Sequence, residues 1–307
     1  MSVLTPQQVV SAIKEGKSLA QAELSHINLK EKNLDNGLFS GSYLKGANLE
    51  KASCQNTNFS QAELMFALMN GGSFIGANFT KAKLNNAKLN NANLQEVNAI
   101  FANFYEAILN NLNGESGKFD ETIWHKAQGK QVNFSHANLH KAKLTEVDFI
   151  QGNFSFTQLD YAILSNSNLS ETIWQNANLI QAKLKGVCLL KADLSQATLM
   201  GASLKDADLT KADLSQADLT EATLENVLLE KSNLSEASLF NANLEGATFN
   251  EVILKNTDLR EANLENTIWY QTDFTNCQVQ NAIFTDAQGL TKEQKKWLKD
   301  NGALNIN

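Results

Sequence analysis

The sequence predicts an all-β solenoid built from square coils, and two features of the repeat support this fold. Leu or Phe recurs at nearly every fifth position from Leu19 to Phe284, and of these 54 large-residue positions 33 are Leu and 12 are Phe. The residue two before each of them, at the small-residue position, is Ala in 29 cases. Neither the 3.6-residue period of an α-helix nor the two-residue period of a strand keeps such a series on one face. A fixed period of five therefore requires its own architecture.

Each five-residue unit is best explained as one short extended side followed by a turn. In residues 191–199 (KADLSQATL) the small and the large residue can point inward, while the outward position between them and the two residues that follow point to solvent. Four such sides close a coil of about 20 residues, and coils stack at a strand spacing of about 4.8 Å. About 13 coils would form a stack on the order of 60 Å long.

Residues 20 apart in the sequence should lie above one another in this arrangement. Phe39, Phe59 and Phe79 share one such column, and a second column contains only leucines: Leu184, Leu204, Leu224, Leu244 and Leu264. Because a single coil cannot bury its own apolar side chains, these columns should form the core and make each coil depend on its neighbours.

Units such as 47–49 (ANL), 207–209 (ADL) and 217–219 (ADL) resemble the consensus of the pentapeptide repeat family, and the resemblance extends from about Lys17 to Gln288. It implies a right-handed quadrilateral β-helix. It implies no single function, because one fold can serve many.

Both ends carry helix signals. Thr5 can cap a helix that has Pro6 at its first position and ends at Gly16, and Thr291 can cap a helix over 292–300. We expect three regions: an N-terminal capping helix (1–16), the β-helix (17–288), and a C-terminal capping helix and tail (289–307). The helices would cover open strand edges. In the alternative, the helix that carries Trp297 forms a homodimer contact at the C-terminal end.

The repeat is weakest from Asn110 to Gln131. Gly114 and Gly129 occupy large-residue positions, and Gly117 occupies a small-residue position. Because glycines often mark loops, we expect this segment to leave the regular coil as a loop or a bulge. A projecting loop could carry function, whereas a bulge would be only local repacking.

Three similar segments end in Trp at large-residue positions: 121–124 (ETIW), 171–174 (ETIW) and 266–269 (NTIW). The simpler interpretation is that each indole ring packs against neighbouring coils. In the alternative, the outward apolar residues form an exposed contact surface; they are Ile123, Ile173, Leu228, Ile253 and Ile268.

The net charge of −7 is unevenly distributed. Residues 1–150 carry 14 Lys and Arg against 13 Asp and Glu, whereas residues 151–307 carry 12 against 20. An acidic surface disfavours direct binding of nucleic acid, which needs Lys and Arg, and suits a basic protein partner. Solvation of a long protein is the alternative role of these charges. The candidate partner-binding residues are Asp193, Asp208, Asp213, Asp218, Glu221, Glu225, Glu245 and Glu265.

The sequence shows no set of residues for catalysis, a cofactor or a metal. His136 and His140 are four apart but fall on different corners of a square coil, and the three cysteines are far apart. No Gly-rich phosphate loop or nucleophile–base set is found. We therefore expect a protein that is not an enzyme and that binds no cofactor.

The expected location is the cytoplasm, with secretion independent of a signal peptide as the alternative. The N-terminus lacks a basic and apolar signal segment, an odd number of cysteines suits a reducing compartment, and no apolar run is long enough for a membrane span.

Two functions of different class follow from these features. The first is a non-enzymatic scaffold or adaptor that binds proteins. Residues 9–19 resemble the start of some bacterial pentapeptide repeat proteins, some of which accompany secretion systems or act as effectors. The second is an acidic DNA mimic that inhibits or protects a type II topoisomerase (gyrase), as the family resemblance also allows.

Overall fold

The computed structural model describes residues 4–306. Its helices and longer strands are α1 (Pro6–Lys14), β1 (Thr248–Asn250), β2 (Ile268–Tyr270) and α2 (Lys292–Asp300). Nearly all other residues alternate between single-residue parallel bridges and turns at a strict five-residue interval. The chain forms two compact units, 1–158 and 159–307. We refer to them as the first and the second unit.

Residues 20 apart pair with each other in both units. In the first unit Glu23 pairs in parallel with Tyr43, and in the second Asp193 pairs with Asp213. One turn of the coil is therefore four five-residue sides, and each unit is a quadrilateral β-helix.

The hydrogen bonds of the backbone explain why the period is five, and residues 48–52 show a complete cycle. The N–H of Asn48 donates to the preceding coil (2.9 Å), and those of Leu49 (2.6 Å) and Lys51 (2.9 Å) donate to the following coil. The N–H of Ala52 closes the turn on the carbonyl of Leu49 (3.1 Å). The fifth N–H, of Glu50, donates to the side-chain Oδ1 of Asn48 (3.0 Å). Each backbone N–H of residues 48–52 therefore has a hydrogen-bond partner.

The core consists of the large and small residues, as predicted. Leu84 in the first unit and Leu204 in the second are both fully buried. The rings of Phe39 and Phe59 stack with centroids 5.3 Å apart, and those of Phe59 and Phe79 stack at 5.2 Å. The inward assignment of these columns is confirmed.

The prediction of a loop or bulge at Asn110–Gln131 is wrong. Asn113, Lys118 and Ile123 each pair with the residue 20 further on, in regular register. Two of the three glycines are required by neighbouring rings: a Cβ on Gly117 would lie 2.4 Å from Cε2 of Phe119, and one on Gly114 would lie 2.9 Å from Cδ1 of Phe134. The rings fill the volume that a Leu or Ala would otherwise occupy, so glycine here is a packing residue and not a loop signal.

The structure departs from the regular coil at the corner that contains the ends of β1 and β2. Strand pairing continues there to Asn250 and Tyr270, at positions that form turns in the other coils. The carbonyl of Phe249 accepts a hydrogen bond from Oγ1 of Thr272 at 3.2 Å. At the same corner the rings of Phe249 and Trp269 stack at 4.0 Å.

Both predicted helices are present, and each begins with a capping box, in which a Thr side chain and a Gln side chain cap each other's backbone N–H. The pair is Thr5 with Gln8 in α1 and Thr291 with Gln294 in α2. Val9 of α1 and Leu298 of α2 are fully buried.

After α2 the chain returns to the coil, and Leu304 pairs in parallel with Ile283. The last coil of the second unit therefore has one edge extended by the C-terminal tail and contacts with α2 at another. The division of the chain at residues 16 and 288 stays a prediction.

Candidate protein-binding surface

The eight candidate acidic residues all lie in the second unit, but they do not form one patch. Asp193 and Asp213 lie on one side of the coil and pair with each other. Asp208 lies on a second side, where it pairs with Leu228, and Asp218 lies on a third. The candidate glutamates, which are Glu221, Glu225, Glu245 and Glu265, occupy corners. The structure thus surrounds the second unit with carboxylates on at least three sides.

The four candidate aspartates have a structural role that sequence reasoning missed. Oδ1 of Asp208 accepts a hydrogen bond from the N–H of Thr210 at 2.9 Å, and Oδ1 of Asp213 accepts one from the N–H of Ser215 at 2.9 Å. Asp193 and Asp218 accept equivalent bonds at 3.0 Å. Each aspartate caps the turn that follows it.

Asparagine performs the same task in the first unit. Oδ1 of Asn93 accepts from the N–H of Gln95 at 3.0 Å, and Oδ1 of Asn133 accepts from the N–H of Ser135 at 3.0 Å. The recurrence of Asn or Asp immediately before the large residue was the sequence signal for this role. The turn needs an oxygen acceptor, and it does not need a charge.

The outward positions differ in charge between the two units. Residues 1–158 have twelve Asn and one Asp at outward positions, and residues 159–307 have five Asn and six Asp. Because an amide oxygen satisfies the turn equally well, the fold does not explain the negative charge at Asp208, Asp213 and Asp218.

The glutamates are not equally available. Oε2 of Glu225 forms an ion pair with Nζ of Lys205, and its Oε1 accepts from Asn243 at 3.0 Å. The hydrogen bond and the charge of Glu225 raise the pKa of the Lys205 ammonium. Glu225 and Glu245 both line a cavity of about 250 Å³ at this corner. Part of the charge of Glu225 is therefore already neutralised within the protein.

Two corner lysines of the second unit, Lys191 and Lys231, pair with glutamates of neighbouring coils. Nζ of Lys191 lies 3.3 Å from Oε1 of Glu171, and Nζ of Lys231 lies 3.7 Å from Oε1 of Glu251. These pairs are exposed and contribute little stability.

Four of the five outward apolar residues identified from the sequence are exposed, and three of these four pair with an aspartate of a neighbouring coil. Ile173 pairs with Asp193, and Leu228 pairs with Asp208. The exposed fractions range from 40% for Ile173 to 53% for Ile253, whereas Ile123 is half-buried. Two sides of the second unit therefore combine carboxylates with apolar contact area, a mixture typical of surfaces that bind proteins.

Comparison with known proteins establishes the family. The family model for pentapeptide repeats matches residues 18–53, 28–65, 73–111, 118–151, 130–166, 162–201, 177–216, 217–256 and 253–288. The chain belongs to the pentapeptide repeat family. The right-handed quadrilateral β-helix predicted from the sequence is thereby confirmed.

Several solved structures of this family are similar to the chain. HetL, a pentapeptide repeat protein involved in heterocyst differentiation regulation in the cyanobacterium Nostoc, is 26% identical, with 84% of this chain and 96% of HetL covered and a TM-score of 0.45. QnrB1, a plasmid-mediated fluoroquinolone resistance protein, is 18% identical, with 63% and 95% covered and a TM-score of 0.36.

A pentapeptide repeat protein of the Arabidopsis thaliana thylakoid lumen is 27% identical, with 49% of this chain and 79% of that one covered and a TM-score of 0.17. No curated protein matches the chain closely enough to count as a relative.

The three repeated Trp segments of this pentapeptide repeat protein are explained by packing inside the coil. Nε1 of Trp124 donates to Oγ1 of Thr122 at 2.7 Å, and Trp174 makes the same bond to Thr172 at 2.7 Å. Trp269 repeats it with Thr267 at 2.8 Å. The Thr two residues before each Trp satisfies an indole N–H that would otherwise be buried without a partner. The repeated Thr-Ile-Trp pattern was the signal for this role.

The titratable groups that the structure describes form no candidate metal site. Within residues 4–306 no cluster of three His, Cys, Asp or Glu side chains could hold a metal ion. His136 stacks on Phe156 with ring centroids 4.9 Å apart. Burial raises the pKa of the Cys54 thiol well above its usual value and that of Cys277 to about 12, so both thiols stay protonated.

None of the helices in the described part of the chain is both long and apolar enough to cross a membrane.

Proposed function

We propose that this pentapeptide repeat protein is a non-enzymatic scaffold that binds a basic protein partner through the acidic sides of its second unit. The observation that supports the proposal is the use of Asp where Asn suffices for the fold. Thr210, Ser215 and Thr220 need only an Oδ1 acceptor to cap their turns, yet in each case a carboxylate provides it.

The proposed contact surface combines charge with apolar area. Asp193, Asp208, Asp213 and Asp218 supply the field, together with Glu221, Glu245 and Glu265, whereas Glu225 contributes less because Lys205 pairs with it. The exposed Leu228 and Ile173 lie beside these aspartates and would supply contact area. Complementary charge mainly raises the association rate and the specificity, and salt screens it over about 8–10 Å.

The test neutralises charge without disturbing the turns. In one variant Asp208, Asp213 and Asp218 are changed to Asn, which keeps the oxygen acceptor of each turn. The control changes three exposed acids of the first unit to the matching amide: Glu31→Gln, Glu96→Gln and Glu121→Gln. Both variants lose three negative charges, so only the position of the charge differs.

Partner proteins retained by the immobilised wild-type chain at low salt are identified by mass spectrometry, and their affinity for both variants is then measured. We expect the Asp-to-Asn variant to bind roughly three- to 150-fold more weakly and to lose most of the salt dependence, since each of the three rim charges contributes on the order of 0.2–1 kcal/mol. The melting temperatures of both variants should stay close to that of the wild-type chain. Equal weakening in the control, or binding that ignores salt, would contradict the proposal.

The proposal includes a cytoplasmic location in a bacterium and an adaptor role connected with secretion systems or effectors. Its support is the resemblance of residues 9–19 to the start of some bacterial members of the family. It also includes the absence of direct contact with nucleic acid, and a homodimer formed through α2. Light scattering of the purified chain tests the dimer, and a monomeric mass up to about 100 μM would contradict it.

A second candidate function is an acidic DNA mimic that inhibits or protects a type II topoisomerase. The observation in its favour is the concentration of charge in residues 193–273, with 15 Asp and Glu against 5 Lys and Arg. A supercoiling assay with purified gyrase separates it from the scaffold. Inhibition or protection that disappears in the Asp-to-Asn variant would favour the mimic, and unchanged supercoiling would reject it.

A further inference from the structure

A cleft lies between α2 and the side of the second unit that contains residues 273–275. It has a volume of about 380 Å³ and is lined by Asp273, Phe274, Thr275, Glu293, Gln294 and Trp297. Residues 273–275 come from the coil and the other three from the first turns of the helix. This cleft is outside the surface proposed above, since none of the eight candidate residues lines it.

Two contacts hold the helix against the coil at this point. Nε2 of Gln294 donates to the carbonyl of Thr272 at 2.7 Å, beside the altered corner at β2. The rings of Trp297 and Phe274 stack with centroids 5.9 Å apart and planes inclined by 23°. Phe274 is buried and Trp297 is half-buried, so the tryptophan presents aromatic surface to the cleft while the phenylalanine supports it.

Carboxylates stand on both walls of the cleft. Asp273 is exposed on the coil side and Glu293 is exposed on the helix side. Oδ1 of Asp273 accepts from the N–H of Thr275 at 3.1 Å, and Oδ2 accepts from its hydroxyl. A carboxylate has about four lone-pair sites, so Asp273 can accept further bonds. None of the lysines of α2 lines the cleft; they are Lys292, Lys295, Lys296 and Lys299.

An exposed apolar side chain, that of Ile253, adjoins the charged cleft. A second cavity, of about 370 Å³, shares Asp273 and Thr275 with the cleft and is lined further by residues 251–255 and Gln271. Ile253 in this lining is 53% exposed. A ligand that placed a cation in the cleft could therefore bury an apolar neighbour against Ile253.

We propose that this cleft binds the cationic side chain of an arginine in an extended, basic segment of a partner protein, and that the next apolar residue of that segment packs on Ile253. An aromatic ring attracts a cation placed over its face, and a carboxylate on each wall adds charge-assisted hydrogen bonds. Arginine suits the site better than lysine because its planar guanidinium stacks on a ring while its N–H groups reach carboxylates at the edge. The site rests on the proposed function in one respect, since it supplies an anchor for the same basic partner.

The test uses the full chain and a defined probe that needs no partner protein. The probe is a blocked tetrapeptide of sequence alanine-arginine-leucine-alanine, and its control carries citrulline, which has the shape of arginine without the charge. The readout is the indole N–H resonance of Trp297, assigned with Trp297→Phe. The indole N–H groups of Trp124, Trp174 and Trp269 are hydrogen-bonded to threonines in the core and serve as internal references.

We expect the arginine peptide to shift the Trp297 resonance, the citrulline peptide to leave it unchanged, and none of the three references to move. Asp273→Asn keeps the Oδ1 acceptor for the N–H of Thr275 and replaces only the oxygen that accepts from its hydroxyl, and Glu293→Gln keeps the helix position, so neither should unfold the chain. Each should weaken the peptide roughly two- to fivefold, the effect of one exposed cation–π contact or ion pair. The control Glu261→Gln, which removes one charge from another corner, should leave the affinity unchanged.

Equal binding of the citrulline peptide, or equal weakening by Glu261→Gln, would overturn the site, because the first shows no charge recognition and the second shows only a general field. A Trp297 resonance that responds to protein concentration and not to the peptide would assign the cleft to a second copy of the chain. The two proposals can also fail separately. If the peptide binds as expected but the triple Asn variant at 208, 213 and 218 binds the partner as tightly as the wild type, the proposed function is rejected and this site is retained.

Discussion

The two units share one backbone arrangement, but they cap its turns and fill its core with different residues. In the first unit the turns are capped mainly by Asn, and residues 1–158 carry a balance of +1 (14 basic against 13 acidic). In the second unit six outward positions are Asp, and residues 159–307 carry a balance of −8 (12 against 20). Since Asn93 and Asp213 cap their turns at nearly the same distance, the charge of a unit can change without a change of fold.

The cores differ in a parallel way. Nine of the twelve Phe at large-residue positions lie in the first unit, where Gly114 and Gly117 give room to neighbouring rings. The second unit relies on leucine columns such as the one that includes Leu204. The repeat determines which positions face inward. The volume inside the coil can then be filled either by Phe beside Gly or by columns of Leu.

The largest effect is expected from a charge placed in either core. Leu84→Lys in the first unit and Leu204→Lys in the second, at equivalent positions of their coils, should each destabilise the protein by at least about 4 kcal/mol. Removal of a buried Leu costs about 2–5 kcal/mol, and the ammonium must also lose its hydration. Urea denaturation measures the loss. Ser203→Lys is the control, because Lys83 and Lys183 already occupy that outward column, and an equally large loss there would contradict the inward assignment.

A smaller effect should distinguish the aromatic core from the leucine core. Gly117→Ala introduces the commonest residue at small-residue positions, yet its Cβ would lie 2.4 Å from the Phe119 ring. We expect a loss of about 1–3 kcal/mol from overpacking, measured by urea denaturation. In the control Gly71→Asn, Asn enters a corner where Asn91 and Asn111 already adopt a positive φ, so stability should barely change. A stabilising Gly117→Ala would refute the packing role of this glycine.

The turn caps should be sensitive to the acceptor and insensitive to its charge. Asp213→Ala removes the acceptor used by the N–H of Ser215 and by Nδ2 of Asn233, and should cost about 1 kcal/mol. Asp213→Asn should stay within about 0.5 kcal/mol of the parent, and Asn93→Ala in the first unit should match Asp213→Ala. Thermal denaturation of the three variants and the parent measures these differences in stability. If Asn and Ala at position 213 were equally harmful, the charge itself would be structural.

The smallest effect on stability is expected at the cysteines, where only reactivity should differ. Cys188 is half-exposed at an outward position, whereas Cys54 and Cys277 are buried. Near pH 8 iodoacetamide should modify Cys188 alone, and Cys188→Ser should abolish the rapid phase. Because the pKa of Cys277 in the folded chain, about 12, is above its unfolded value, its stabilising effect holds below about pH 9 and decreases as the pH rises towards 12. Rapid modification of Cys277 in the folded chain would contradict its burial.

The sequence determined the fold of this protein because the repeat carries its information locally. The spacing of Leu19 to Phe284 specifies which residues face inward, and the two helix caps, Thr5 and Thr291, can be identified from the sequence. The charge asymmetry and the candidate aspartates could also be identified from the chain alone, and whether those aspartates bind a partner stays a prediction.

Tertiary structure decided the features that depend on residues one coil away. Whether Gly117 makes a loop or leaves room for a ring depends on Phe119 and on the coil around it, and whether Glu225 is available depends on Lys205, 20 residues earlier. The cleft beside Trp297 depends on where α2 contacts the last coil, as the bond from Gln294 to Thr272 shows. A local pattern fixes the direction of each side chain, but volume, ion pairing and clefts are properties of neighbouring coils, and only the folded chain brings those neighbours together.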